Sequence, residues 1–141
     1  MWRKLKEVKV PEQAKAANVA GIVWSKALDF VAPKRLYRLQ VQAGGKWKAQ
    51  GQSAECTADG YPRDIARSAD PLVAAAPLGC LIAKIGGSTA DNTGTIFAVG
   101  RYCVFQIEEA KAGPLYLGAN DVSLYMDQVE AQLTVEIEVA L

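Results

Sequence analysis

A chain of 141 residues that is half hydrophobic, with 16 basic and 15 acidic side chains and no histidine, holds apolar material for one core and no second domain. Its net charge of +1 argues against nucleic-acid binding by bulk electrostatics, and no apolar run reaches the roughly 18 residues of a membrane span. Without histidine there is no ordinary imidazole base and no hydrolytic triad of the common kind.

The charge is unevenly placed. Met1 to Lys48 carries 11 basic and 3 acidic residues, net +8, whereas Ala49 to Leu141 carries 5 and 12, net −7. Solvated strand faces are the simpler account of such a split. The sharper one is a basic edge of one protomer against an acidic surface of the next. Met1 to Lys6 has the charge of a signal n-region, but Glu7 to Glu12 is no apolar h-region, so the chain as given is expected to be soluble without an export signal. Cys56, Cys80 and Cys103 are an odd set without metal-type spacing. Cys80 and Cys103 fall in strand patterns and read as buried thiols; Cys56, in a polar loop, is the one redox candidate.

In chain order, Val8 and Val10 alternate with Lys9 and stop at Pro11, a short edge strand within an N-terminal segment, 1–18, whose Glu12 to Asn18 has room for one helical turn. Val19 to Trp24 and Ala27 to Val31 are apolar, and Pro33-Lys34-Arg35 is a turn. Tyr37, Leu39 and Val41 then alternate with Arg38, Gln40 and Gln42, as in a half-buried antiparallel strand. From Gly44 to Ala76 the pattern dissolves into glycines and prolines around Trp47, Cys56, Asp59, Tyr61 and Asp64. An irregular connection this long is usually functional, so a ligand is expected here.

Pro77 to Gly86 reads as a central strand, with Leu81, Ala83 and Ile85 on one face and Cys80, Ile82 and Lys84 on the other. The residues before it are expected to form one half of a sandwich and those after it the other. Thr95 to Val99, Arg101 to Ile107 and Pro114 to Gly118 follow as strands, then a loop from Ala119 to Val129. The last strand alternates Leu133, Val135, Ile137, Val139 and Leu141 against Thr134, Glu136, Glu138 and Ala140. These elements predict an all-β, single-domain antiparallel β-sandwich of jelly-roll type spanning 1–141.

Trp24-Ser25, Gly45-Lys46-Trp47, Cys56 to Tyr61, Pro77 to Gly86, and Gly113 to Asp121 with its Leu-Gly-Ala-Asn-Asp corner together resemble the bacterial calcium-dependent galactophilic lectins and their lectin-like relatives, from about Val8 onward. The resemblance implies a galactose-binding-like sandwich that holds calcium between two loops at one end, where sugar hydroxyls complete the coordination. The family's aspartate matches Asp121, with Asn120, Asp127 and Gln128 as neighbouring oxygens. Its threonine and second asparagine fall on Tyr125 and Val129, and the chain has no histidine for the sugar contact. Calcium dependence is therefore expected to be weakened or lost.

Two functions from different classes follow. The first is a divergent, non-catalytic carbohydrate-binding protein, in which Trp47 and Tyr61 supply the aromatic face and Asp59 and Asp64 the hydrogen bonds to a sugar. The second is a structural or assembly subunit that self-associates through the sandwich, favoured by the apolar Leu72 to Ala76 run at a loop. An enzyme is not expected: Glu108, Glu109, Glu136 and Glu138 sit on a turn or an alternating outer face, and Lys84 reads as a snorkelling side chain or a partner to a loop carboxylate.

Overall fold

The computed structural model describes residues 1–11, 24–49, 51–62, 71–121 and 129–141. The helical turn expected at Glu12 to Asn18 and most of the apolar run from Val19 lie outside these residues. The strands are β1 (Trp2–Val10), β2 (Ser25–Val31), β3 (Tyr37–Val41), β4 (Leu81–Ile85), β5 (Thr95–Ala98), β6 (Tyr102–Phe105), β7 (Gly113–Ala119) and β8 (Leu133–Ala140), and a 3-10 turn lies at Glu109–Lys111. They form two four-stranded antiparallel sheets, ordered β1-β8-β3-β6 and β2-β7-β4-β5. The predicted antiparallel β-sandwich is the observed architecture.

The two halves of the sandwich are not the two halves of the chain. β1 and β3 lie in the first sheet with β6 and β8, and β2 lies in the second with β4, β5 and β7. β1, β2, β3 and β4 alternate between the sheets, which is how a short-stranded chain buries two apolar faces against each other. Part of the uneven charge is met within one protomer. Lys4 and Arg38 flank Glu138 in register, and Lys48 pairs with Glu130 at 2.8 Å, so basic N-terminal strands meet acidic C-terminal ones inside one protomer.

β8 supplies the middle of the first sheet. Leu133, Val135, Ile137 and Val139 are buried against Leu81, Ala83 and Ile85 of β4 and Leu115 and Leu117 of β7 in one core, as their period-2 spacing requires. Leu141, expected to continue this face, lies beyond the strand and is exposed. β1 is longer than the Val8–Val10 edge strand expected. It pairs with β8 from Trp2 onward, and a register shift between Lys4 and Lys6 breaks the alternation that would have announced it.

The irregular segment after β3 contributes five residues to the core. Trp47, Ala49, Cys56, Ala58 and Tyr61 are all buried with the strand residues. Trp47 and Cys56 exchange backbone hydrogen bonds of 3.0 and 2.8 Å, a ladder too short to register in the sequence pattern. Gly79 allows the closure: at a φ of 81°, a Cβ there would lie 2.8 Å from Cys56 Sγ and 3.0 Å from the Tyr61 ring.

Candidate functional site

The two sheets differ in what covers their outer faces. On the second sheet, Ile82 and Lys84 of β4 and Tyr116 of β7 are buried with Trp24, and Leu72, Val73 and Ile96 pack over them. Lys84 has no exposed surface. Its ammonium lies 5.0 Å from the centre of the Trp24 ring and 4.9 Å from that of Tyr116, and donates to the carbonyl oxygens of Ser88 (2.5 Å) and Asp91 and to Asp91 Oδ1 (3.2 Å). Three acceptors match its three protons, so the charge is held by the 88–93 turn. Burial pulls the Lys84 pKa down, opposed by Asp91. Hydrogen bonds from Thr93 and Ser88 hold the Asp91 carboxyl far below the usual carboxylate range. Lys84 is thus the partner of a loop carboxylate, as the sequence suggests.

Asn120 does the same for the other covering segment. Its side chain, fully buried, accepts from Val73 N (2.9 Å) and donates to the carbonyls of Val73, Ala76 and Pro77 (3.0, 3.2 and 3.0 Å). Leu72 and Val73 are therefore half-buried on the Trp24–Ile82–Tyr116 cluster, and only Ala74 and Ala75 of the apolar run are exposed.

Of the four residues assigned to a sugar, the three that are described do not form a solvent-facing site. Trp47 is 1 % exposed and donates its indole N–H to the Gly79 carbonyl at 2.8 Å. Tyr61 is 5 % exposed, its hydroxyl accepting from Ala49 N and donating to Ala54 O. Neither ring offers a face to solvent, because the sandwich end needs both as filler. Asp59 accepts from the Arg101 backbone N–H and from its Nε, at 2.9 and 2.6 Å, and so ties the loop to the start of β6. Asp64 lies outside the described residues.

Of the metal positions, Asp121 follows β7, its side chain wholly buried and its backbone carbonyl accepting from Leu72 N. The amide of Asn120 is engaged by the loop it clamps. Asp127 and Gln128, with Tyr125, lie outside the described residues. Calcium takes six to eight oxygens, and among the described residues no group of three or more carboxylate, thiol or imidazole side chains converges. Cys56 is buried as well, and burial pushes its thiol up to about 11, far from a reactive thiolate.

The outer face of the first sheet carries the opposite character. The residues of this sheet that alternate away from the core form cross-strand rows. Glu7 of β1, Glu136 of β8 and Gln40 of β3 are in register, with Tyr102 of β6 next to Gln40; beside them, Lys9 and Thr134 pair in register and Gln42 N donates to Thr134 O. Glu7, Gln40, Gln42, Thr134 and Glu136 line a groove of about 330 Å³. Tyr102, 54 % exposed, stands next to Gln40 in the cross-strand row. Arg38 is fixed, bonded to both carboxylate oxygens of Glu138 at 2.9 and 2.7 Å and stacked 4.5 Å from the centre of the Trp2 ring. Amides, carboxylates and a hydroxyl thus line one groove, with an exposed aromatic ring next to Gln40.

Sequence reasoning treats these outward positions as a solvated face. The signal available is small: Gln40 and Gln42 bring amides, not lysines, to the outward positions of an interior strand. No protein-family model matches the chain, and no curated protein matches it at a significant level.

Proposed function

We propose that the protein is a non-catalytic, carbohydrate-binding module on a lectin-like, galactose-binding-type sandwich, and that it takes its ligand on the outer face of the first sheet. The observation that carries this reading is the groove of about 330 Å³ lined by Gln40, Gln42, Thr134, Glu136 and Glu7 beside the exposed Tyr102 ring. Amides and carboxylates present paired donors and acceptors of the kind that vicinal hydroxyls match, and a tyrosine face suits the C–H surface of a pyranose. The motifs behind the lectin resemblance centre on Lys84 and Asn120, and both clamp loops over the second sheet. The resemblance therefore supports a fold, while the ligand groups come from elsewhere. The test is the thermal unfolding midpoint against a panel of mono- and oligosaccharides, with and without calcium. A ligand at a hundredfold excess over its dissociation constant raises stability by about 2.7 kcal/mol. The rise is expected with one sugar class, to be independent of calcium, and to be reduced by about 1 kcal/mol in Gln40→Ala; no rise with any sugar would overturn it.

A second reading, an assembly subunit that associates through its sandwich, is favoured by one observation: β5 and β6, on one flank, carry no charged residue.

A further inference from the structure

The two flanks of the sandwich are built differently. On one, β1 and β2 form the sheet edges. β1 carries Arg3, Lys4, Lys6, Glu7 and Lys9 and is interrupted by a register shift. β2 carries the Lys26–Asp29 ion pair and two register irregularities. Charge and bulges are the usual means of keeping an edge from pairing with a foreign strand. On the other flank, β5 (Thr-Ile-Phe-Ala) and β6 (Tyr-Cys-Val-Phe) hold neither charge nor proline and pair in unbroken register with their single neighbours. Tyr102 and Val104 are exposed at 54 % and 41 %, and Ala98 is exposed. Between the two edges a groove of about 240 Å³ opens onto Phe97, Phe105 and Ile107, with Glu108 and Lys111 also lining it.

We infer that this flank is where a second copy of the chain docks, β6 pairing antiparallel with β6 of the copy about a two-fold axis near Val104. The inference rests on the assembly reading above and names its surface. The charge order of the segment selects a second copy over a foreign strand. Arg101, with its side chain 67 % exposed although its Nε is held by Asp59, stands just before β6, and Glu108 and Glu109 stand just after it. Antiparallel self-pairing sets the basic end of each strand against the acidic end of its twin, an isologous match made by one sequence with itself. It would join the first sheets of two copies into one continuous sheet, satisfy both outer rows of backbone groups, and cover the Phe97–Phe105 groove. The groove lined by Gln40 and Glu136 would be left open on each copy.

Analytical ultracentrifugation over a roughly hundredfold dilution range tests this on the full chain. The wild type is expected to dimerise. Val104→Lys and Ala98→Lys, each placing a lysine on an exposed edge position, are expected to raise the dissociation constant by about two orders of magnitude. Leu5→Lys, on the opposite flank, is expected to leave it unchanged. Circular dichroism and a cooperative thermal transition establish that each variant is folded, and either folded edge variant suffices. A dimer that survives both edge variants, or that Leu5→Lys disrupts equally, overturns the surface while leaving self-association standing. A wild type that is monomeric throughout overturns both.

Discussion

Replacing Lys84 by methionine removes a buried charge while keeping the volume of its stem, and the structure sets the cost. The side chain is fully buried between the Trp24 and Tyr116 rings, so a near-isosteric apolar replacement keeps the packing to within about 1.5 kcal/mol. What is lost is the ammonium. Two backbone carbonyls, Ser88 O and Asp91 O, lose their donor, at about 1 kcal/mol each because the turn lies near water. Two cation–π contacts add about 1 kcal/mol together. Against this, the desolvation of a buried cation is relieved. A net loss of about 2 kcal/mol is expected for Lys84→Met, and Lys84→Ala should cost about 2 kcal/mol more through the cavity. With a urea slope of about 1.5 kcal/mol/M, the methionine variant unfolds roughly 1.3 M earlier at an unchanged slope. A midpoint equal to or above that of the wild type would refute the reasoning, because the ammonium would then be a tolerated charge rather than the clamp of the 88–93 turn.

Three further outcomes follow from the same geometry. Gly79→Ala forces a Cβ to 2.8 Å from Cys56 Sγ at a φ of 81° and should cost about 2 kcal/mol or more, read by chemical denaturation. Asp91 and Glu138 both have pKa values lowered in the folded state, the first by Thr93 and Ser88, the second by Arg38. Their stabilisation is complete above the unfolded carboxylate pKa of about 4 and is lost as pH falls through the folded values, so the thermal midpoint should drop below about pH 4 and drop less steeply in Asp91→Asn. Burial raises the pKa of all three thiols, and Cys56 and Cys80 are buried while Cys103 is half-buried. A thiol reagent at neutral pH should therefore label Cys103 first and reach the other two only as the protein opens, which peptide mapping would resolve.

What was legible in the sequence was whatever a period of two dictates. β8 and β3 show strict alternation because one face of each meets the core and the other meets solvent. β4 was legible as interior because both its faces are apolar except at Lys84, and it lies inside its sheet, fully buried. β1 was legible only at its end, since the register shift and the lysines of an edge strand hide its first residues. The assignment of strands to sheets was not legible, because alternation shows that a strand is half-buried and is silent on its neighbours. For the site, residue type misled. Trp47 and Tyr61 stand among glycines, as binding aromatics do, but they fill the end of a small core whose strands run out too early to close it. Asn120 and Asp121 follow a motif suited to a metal, yet the asparagine is a clamp on the 72–77 segment, a role fixed by residues more than forty positions away. Gln40, Gln42 and Glu136 became a candidate site only when register set them side by side.

The measurement that bears most directly on the central claim is calorimetric titration of the sugar that most raises the unfolding midpoint into the wild type, Gln40→Ala and Asp121→Asn, each with calcium and with a chelator. The account predicts that Gln40→Ala weakens binding about fivefold or more, as expected for about 1 kcal/mol of lost hydrogen bonding, while Asp121→Asn and the chelator change nothing. Binding that is indifferent to Gln40→Ala but abolished by Asp121→Asn or by chelation would place the ligand at the end of β7 and contradict the account.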